Sequence, residues 1–144
     1  MGLLRITSAP LIAVEAKTPV FEAVRTMAQN KIGAVVVMDG SVSVGICSER
    51  DIMVRVVLPK RDPESTLIGD IMTAPVITIS RKATADDALK LMLDRHIRHL
   101  PVIDLDGTMA GMISVRNLLH EKVAELTDQL DSLEAYFTAD GAGG

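Results

Sequence analysis

The stretch Gly45–Val57, GICSERDIMVRVV, returns sixty-six residues later as Gly111–Val123, GMISVRNLLHEKV. Gly45 recurs as Gly111, Ser48 as Ser114 and Arg50 as Arg116, with apolar residues between them in both copies. The acid Asp51 is replaced in the second copy by Asn117, so the duplicated motif has kept its shape and lost one charge.

The duplication extends well beyond this motif. At an offset of 65, Ala9-Pro10 matches Ala74-Pro75, Ile12 matches Ile77, Lys17 matches Lys82 and Ala23 matches Ala88. Met27/Met92, Ile32/Ile97, Val37/Val102 and Asp39/Asp104 hold the same register, and one residue inserted after Asp104 shifts the offset to 66. A long unit that occurs twice predicts two halves packed about a pseudo-twofold axis, not a solenoid. In each half a short β-branched run (LIAV, VITI) precedes a helix announced by Thr18-Pro19 or Thr84. Two strands joined by a glycine turn follow, and a second helix begins near Ser48 or Ser114, both good N-cap residues. The expected fold is α/β in the mixed, α+β sense: β-α-β-β-α, twice. Between the halves LPKRDPESTLIGD is polar and carries two prolines; repeat 1 is expected over 1–60, the linker over 61–70 and repeat 2 over 71–120. Leu119, Val123, Leu126, Leu130, Leu133 and Phe137 are spaced 4, 3, 4, 3, 4, which predicts an amphipathic helix over 121–138 with a coiled-coil-like seam. The closing 139–144, ADGAGG, is expected to be disordered.

Composition narrows the function. Hydrophobic residues make up 48% of the 144 and aromatics only 2%, so the core is aliphatic and bases find few stacking platforms. The net charge of −4 disfavours attraction to nucleic-acid backbones. One cysteine, Cys47, forms no internal disulfide and fits a reducing cytoplasm. The longest apolar run, IGAVVVM, is far short of a membrane span; Arg5 and Glu15 break any signal-peptide core, and Ile6 argues against myristoylation. No Walker loop, G-x-S-x-G elbow, HExxH or Cys-His pair with a plausible orienting acid is present, and no His, Cys and carboxylate grouping has metal-ligand spacing, so neither an enzyme, a catalytic cofactor nor a metal is expected.

Taken in order, TPVFEAVRTM, IGAVVVMD and GICSERDI in the first half, with DIMTAPVITIS, ATADDALKLM, IRHLPVID and GMISVRNLL in the second, resemble a tandem CBS-domain pair, named after cystathionine β-synthase. The C-terminal LHEKVAELTDQLDSLEAYF resembles the tail helix of small stand-alone bacterial members, which implies an effector protein on another chain. The resemblance implies two clefts, a homodimer and binding of AMP, ADP, ATP or S-adenosylmethionine. Carried onto this sequence, it makes Ser48 and Asp51 a ribose-binding pair, with Ser114 and Asn117 as its second copy. An ionised Asp can accept hydrogen bonds from both ribose hydroxyls at about 1.5–3 kcal/mol each, and Asn117 lacks the charge to do so. Arg50 and Arg116 stand where family members often carry phosphate-binding residues. Lys31 and the cluster Arg95, His96, Arg98 and His99 add candidates, of which Lys31, Arg98 and His99 are the expected phosphate contacts. Ile12 and Ala13, Thr78 and Ile79, with Leu100 and Pro101, are the expected adenine wall. The sequence therefore implies one good site at Asp51 and one degraded site at Asn117, or a ligand whose phosphates bridge to the second half. Plainer roles compete: Ser48 and Ser114 as helix caps, Asp51 as a first-turn acid, the arginines as solvated charges and the module as a ligand-free dimerisation scaffold.

Overall fold

The computed structural model describes Leu3 and residues 11–143, with side chains described through Phe137. Its elements follow the repeat. The first unit comprises β1 (Ala13–Glu15), α1 (Val20–Asn30), β2 (Ala34–Asp39), β3 (Val42–Ser48) and α2 (Glu49–Ile52), which runs into a π-helical turn, Met53–Val57. After a short helix α3 (Ile68–Ile71) the second unit comprises β4 (Ile79–Ser80), α4 (Ala85–Arg95), β5 (His99–Ile103), β6 (Met109–Ser114) and α5 (Val115–Gly143). Each unit has its own three-stranded sheet, β1-β2-β3 and β4-β5-β6, whose first pair is parallel and second antiparallel. The first strands begin later than LIAV and VITI predict, at Ala13 and Ile79, because only these residues reach the register of β2 and β5.

The symmetry holds in fine detail. Both sheets carry a register shift at the equivalent step, Val37/Met38 and Val102/Ile103. Helices α1 and α4 both end on a left-handed residue, Lys31 (φ 54°) and His96 (φ 55°). The hairpin turns use Gly40 (φ 64°) and Gly107 (φ 87°), whose backbone strongly favours glycine. Thr84 caps α4 through a reciprocal capping box with Asp87.

Two departures from the expected organisation stand out. The linker is not a passive spacer: Ile68, and Ile71 just beyond it, 0% and 1% exposed, lie in the core of the first unit with Val20, Val35, Val37 and Val56. Its backbone also satisfies the start of α1, where Val20 and Phe21 donate to the carbonyls of Thr66 and Pro63 at 2.8 and 2.9 Å. Reciprocally, Leu3, one offset of 65 before Ile68, is buried in the core of the second unit with Ala88, Met92, Leu100 and Leu118. Each unit thus completes its core with the leading segment of the other. The second departure is that α5 is continuous across the expected boundary at residue 120. The first copy ends just beyond Pro59, which lacks an N–H, on the left-handed Lys60 (φ 61°), whereas no proline follows Asn117. The helical backbone runs through Gly143, into the segment expected to be disordered, while Gly144 and the Ala9-Pro10 element of the repeat lie outside the described residues.

Candidate functional site

The equivalent Ser pairs fold alike. Ser48 caps α2: its hydroxyl accepts from the Asp51 N–H at 3.3 Å, while Asp51 Oδ2 accepts from the Ser48 N–H at 2.9 Å and from its hydroxyl at 3.2 Å. At the start of α5, Asn117 Oδ1 accepts from the Ser114 N–H at 2.9 Å and its hydroxyl at 3.0 Å, and Ser114 Oγ accepts from the Asn117 N–H at 3.1 Å. An amide oxygen replaces a carboxylate oxygen without disturbing the cap, so the cap places no demand for charge on this position.

The surroundings of the two pairs differ. The second oxygen of Asp51, Oδ1, accepts from the Thr73 hydroxyl at 2.9 Å and lies 3.8 Å from Arg55 Nη1. Arg55 in turn donates to the carbonyls of Ile71 and Met72 at 3.0 and 2.8 Å, and Ile46 bridges to Thr73. Met72 lies so close to Gly45 that a side chain there has no room. The Asp51 carboxylate, 12% exposed, is thereby committed to holding residues 71–73 against the first unit. A ribose at Asp51 would share the carboxylate with the Thr73 hydroxyl and the Ser48 cap.

Ser114 and Asn117 instead line a cavity of about 620 Å³ that spans both units. Its apolar wall is formed by Leu11, Ile12, Met27, Ile32, Ala34 and Met112, and its charged side chains are Lys31, Glu49, Arg98 and Arg116, with the imidazole of His99 among them. Repetition explains the convergence: α1 and β2 of one unit face β5, β6 and the start of α5 of the other. Burial, reinforced by the neighbouring Arg98 charge, holds the His99 imidazole below its ordinary 6.5, against the opposing pull of Glu49.

Of the residues singled out from the sequence, the cavity brings together Ile12, Lys31, Arg98, His99, Ser114, Arg116 and Asn117. The others lie outside it. Ser48 and Asp51 form the first unit's cap, Arg50 is exposed on α2 and Ala13 is exposed on β1. Thr78 is half-buried, Ile79 packs on the second core, and Leu100 and Pro101 are buried in β5. Sequence reading missed Glu49, Gly33 and Met112. A cue for Glu49 was available: it occupies the place of Val115 in the repeat, and both residues line the same cavity. Among the described residues no cluster of three His, Cys, Asp or Glu side chains is placed to hold a metal, and no helix is long and apolar enough to cross a membrane.

Comparison with known proteins agrees with this architecture. The CBS domain model matches the chain twice, over residues 5–58 and 68–124, so the chain belongs to the CBS-domain family as a tandem pair. Such modules are in general regulatory and ligand-binding. The chain is 37% identical over 122 residues to the CBS domain-containing protein CBSX3, mitochondrial, of Arabidopsis thaliana, covering 81% of this chain and 59% of that one. It is 35% identical over 94 residues to protein MK0525 of Methanopyrus kandleri, covering 65% and 48%. The chain thus spans only about half to three-fifths of the length of these relatives. Among solved structures, a protein with CBS domains from Burkholderia ambifaria MC40-6 superposes with a TM-score of 0.81 at 33% identity, covering 86% of this chain and 95% of that one.

Proposed function

We propose that the chain is a regulatory module that binds an adenine nucleotide of the AMP, ADP or ATP type between its two units. On this reading it acts as a homodimer and signals occupancy to an effector protein by a change of packing. The observation that carries the reading is the cavity itself. An apolar wall at Ile12 and Met112, a Ser–Asn pair at a helix start and the cations Lys31, Arg98 and Arg116 converge there. Its volume lies within the usual 300–1,000 Å³ of small-molecule sites. S-adenosylmethionine offers the same ribose and adenine but carries a sulfonium in place of phosphates, which suits three cations less well. Because the lining comes from both units, a ligand there can favour one arrangement of the units over another, as regulation requires. Homodimerisation is supported by apolar side chains left outside: Phe21 and Val24 on α1, Met53, Val54 and Val57 after α2, and the stripe on α5. A reducing compartment such as the cytoplasm suits the lone buried thiol of Cys47.

Thermal melts of nucleotide-free protein test the reading. At a ligand concentration of 100 Kd the expected stabilisation is about 2.7 kcal/mol, a rise of several degrees, and Arg98→Ala reduces it. A second reading, a ligand-free dimerisation scaffold, draws on the commitment of Asp51 to its own chain. It predicts no shift with any nucleotide in either protein.

A further inference from the structure

The cavity collects Lys31, Arg98, Arg116 and the His99 imidazole, and Glu49 is the acidic side chain among its lining residues. That acid comes from the first unit, while the Ser114–Asn117 pair facing the same space comes from the second. Among the described residues the Glu49 carboxylate accepts no hydrogen bond and stands in no ion pair, although four basic groups share its cavity. Its placement is built into the fold. The Glu49 N–H donates to the Gly33 carbonyl at 3.0 Å, which anchors the start of α2 on the start of β2. Gly33 then leaves the carboxylate its room: a Cβ there meets Glu49 Oε1 inside contact distance and His99 Nε2 at 3.2 Å.

An exposed carboxylate that shares a cavity with cations without pairing with them is suited to a ligand carrying both an anionic end and a neutral donor end. The cations take the first, and the second needs an acceptor with charge. Asn117 lacks that charge, and Asp51 is bound to Thr73 elsewhere. We infer that Glu49 supplies the acceptor across the interface between the units, taking hydrogen bonds from the ligand's hydroxyls, which on the nucleotide reading above are those of the ribose. The charge missing from the second motif is thus provided by the first unit, one residue past its own N-cap.

The test is titration calorimetry of the full chain with AMP, 2′-deoxy-AMP and inorganic pyrophosphate, for wild type, Glu49→Gln, Gly33→Ala and the double variant Glu49→Gln/Asn117→Asp. Wild type is expected to prefer AMP over 2′-deoxy-AMP by about tenfold, as one charge-assisted hydrogen bond implies. Glu49→Gln should weaken AMP by a similar factor and erase the preference. Pyrophosphate binding should stay level or tighten, which also certifies a folded site. Gly33→Ala, by pushing the carboxylate aside, should act in the same direction, and the double variant should recover the preference. A wild type that binds AMP without preferring it to 2′-deoxy-AMP overturns the inference, as does a Glu49→Gln protein that keeps the preference. Either result leaves the nucleotide reading standing. A wild type that binds neither nucleotide overturns both.

Discussion

Replacing Asp51 by alanine removes a carboxylate on which three hydrogen bonds end: the Ser48 N–H at 2.9 Å, the Ser48 hydroxyl at 3.2 Å and the Thr73 hydroxyl at 2.9 Å. The hydroxyls can turn to other partners, but the half-buried Ser48 N–H cannot, and an unsatisfied buried donor costs about 1–3 kcal/mol. Half of the capping box goes as well, and the tie to residues 71–73 is cut. Together these amount to about 2–4 kcal/mol, allowing for partial solvation of the site. Asp51→Asn behaves differently. Asn117 already shows an amide oxygen filling the same cap, and the Thr73 hydroxyl can accept from the new amide, so the loss should stay within about 1 kcal/mol. Urea unfolding monitored by circular dichroism in the absence of nucleotide separates the two. With a slope of about 1–3 kcal/mol/M, the alanine midpoint should fall by about 1–2 M and the asparagine midpoint by much less. Equal losses in the two variants, or an alanine variant as stable as wild type, refute the structural assignment of Asp51.

Three further outcomes follow from the same geometry. Burial, with the Asp51 charge adding to it and Arg55 opposing, pushes the Cys47 thiol up to about 12, so Ellman's reagent at pH 8 should leave the native protein unlabelled until urea unfolds it. His99 is held below 6.5 by burial and by Arg98, with Glu49 opposing and Lys31 and Arg116 sharing the cavity, so the unfolded chain takes up the proton first. Its contribution to stability is present above 6.5 and is lost as the pH falls below it. His99→Asn should therefore flatten the decline in urea midpoint between pH 7.5 and 5.5; an unchanged slope speaks against this. On α5, Val123, Leu126, Leu130, Leu133 and Phe137 remain 52–64% exposed at coiled-coil spacing. Deleting the residues after Lys122 should lower the oligomeric state measured by light scattering, and a truncated chain of unchanged mass would place the subunit interface on the CBS units.

The repeat, its single-residue insertion and its helix starts were legible because each rests on local chemistry: Ser48, Thr84 and Ser114 cap helices whatever surrounds them. The exchange of leading segments was not legible in 61–70, where charge and proline hide the apolar step from Ile68 to Ile71 and burial depends on which unit receives it. The site was half legible. Motif chemistry pointed to Ser114, Asn117, Arg98, His99 and Arg116, and the cavity contains them all. Motif chemistry also pointed to Asp51, and what a sequence does not disclose is that Thr73 and Arg55 fold back onto that carboxylate. Glu49 escaped for the converse reason. Apart from Lys31, the basic groups that share its cavity are supplied by the other unit, and nothing in the spacing of GICSERDI shows which way an acid between two motif positions will face.

Whether a nucleotide occupies the proposed cavity at Ser114 and Asn117 or the cap at Asp51 is decided by calorimetric titration of the nucleotide-free protein with AMP, comparing wild type, Arg98→Ala and Asp51→Asn. Saturation near one site per chain is expected, with affinity reduced by Arg98→Ala and retained in Asp51→Asn. Binding abolished in Asp51→Asn but untouched by Arg98→Ala would contradict occupancy of the cavity.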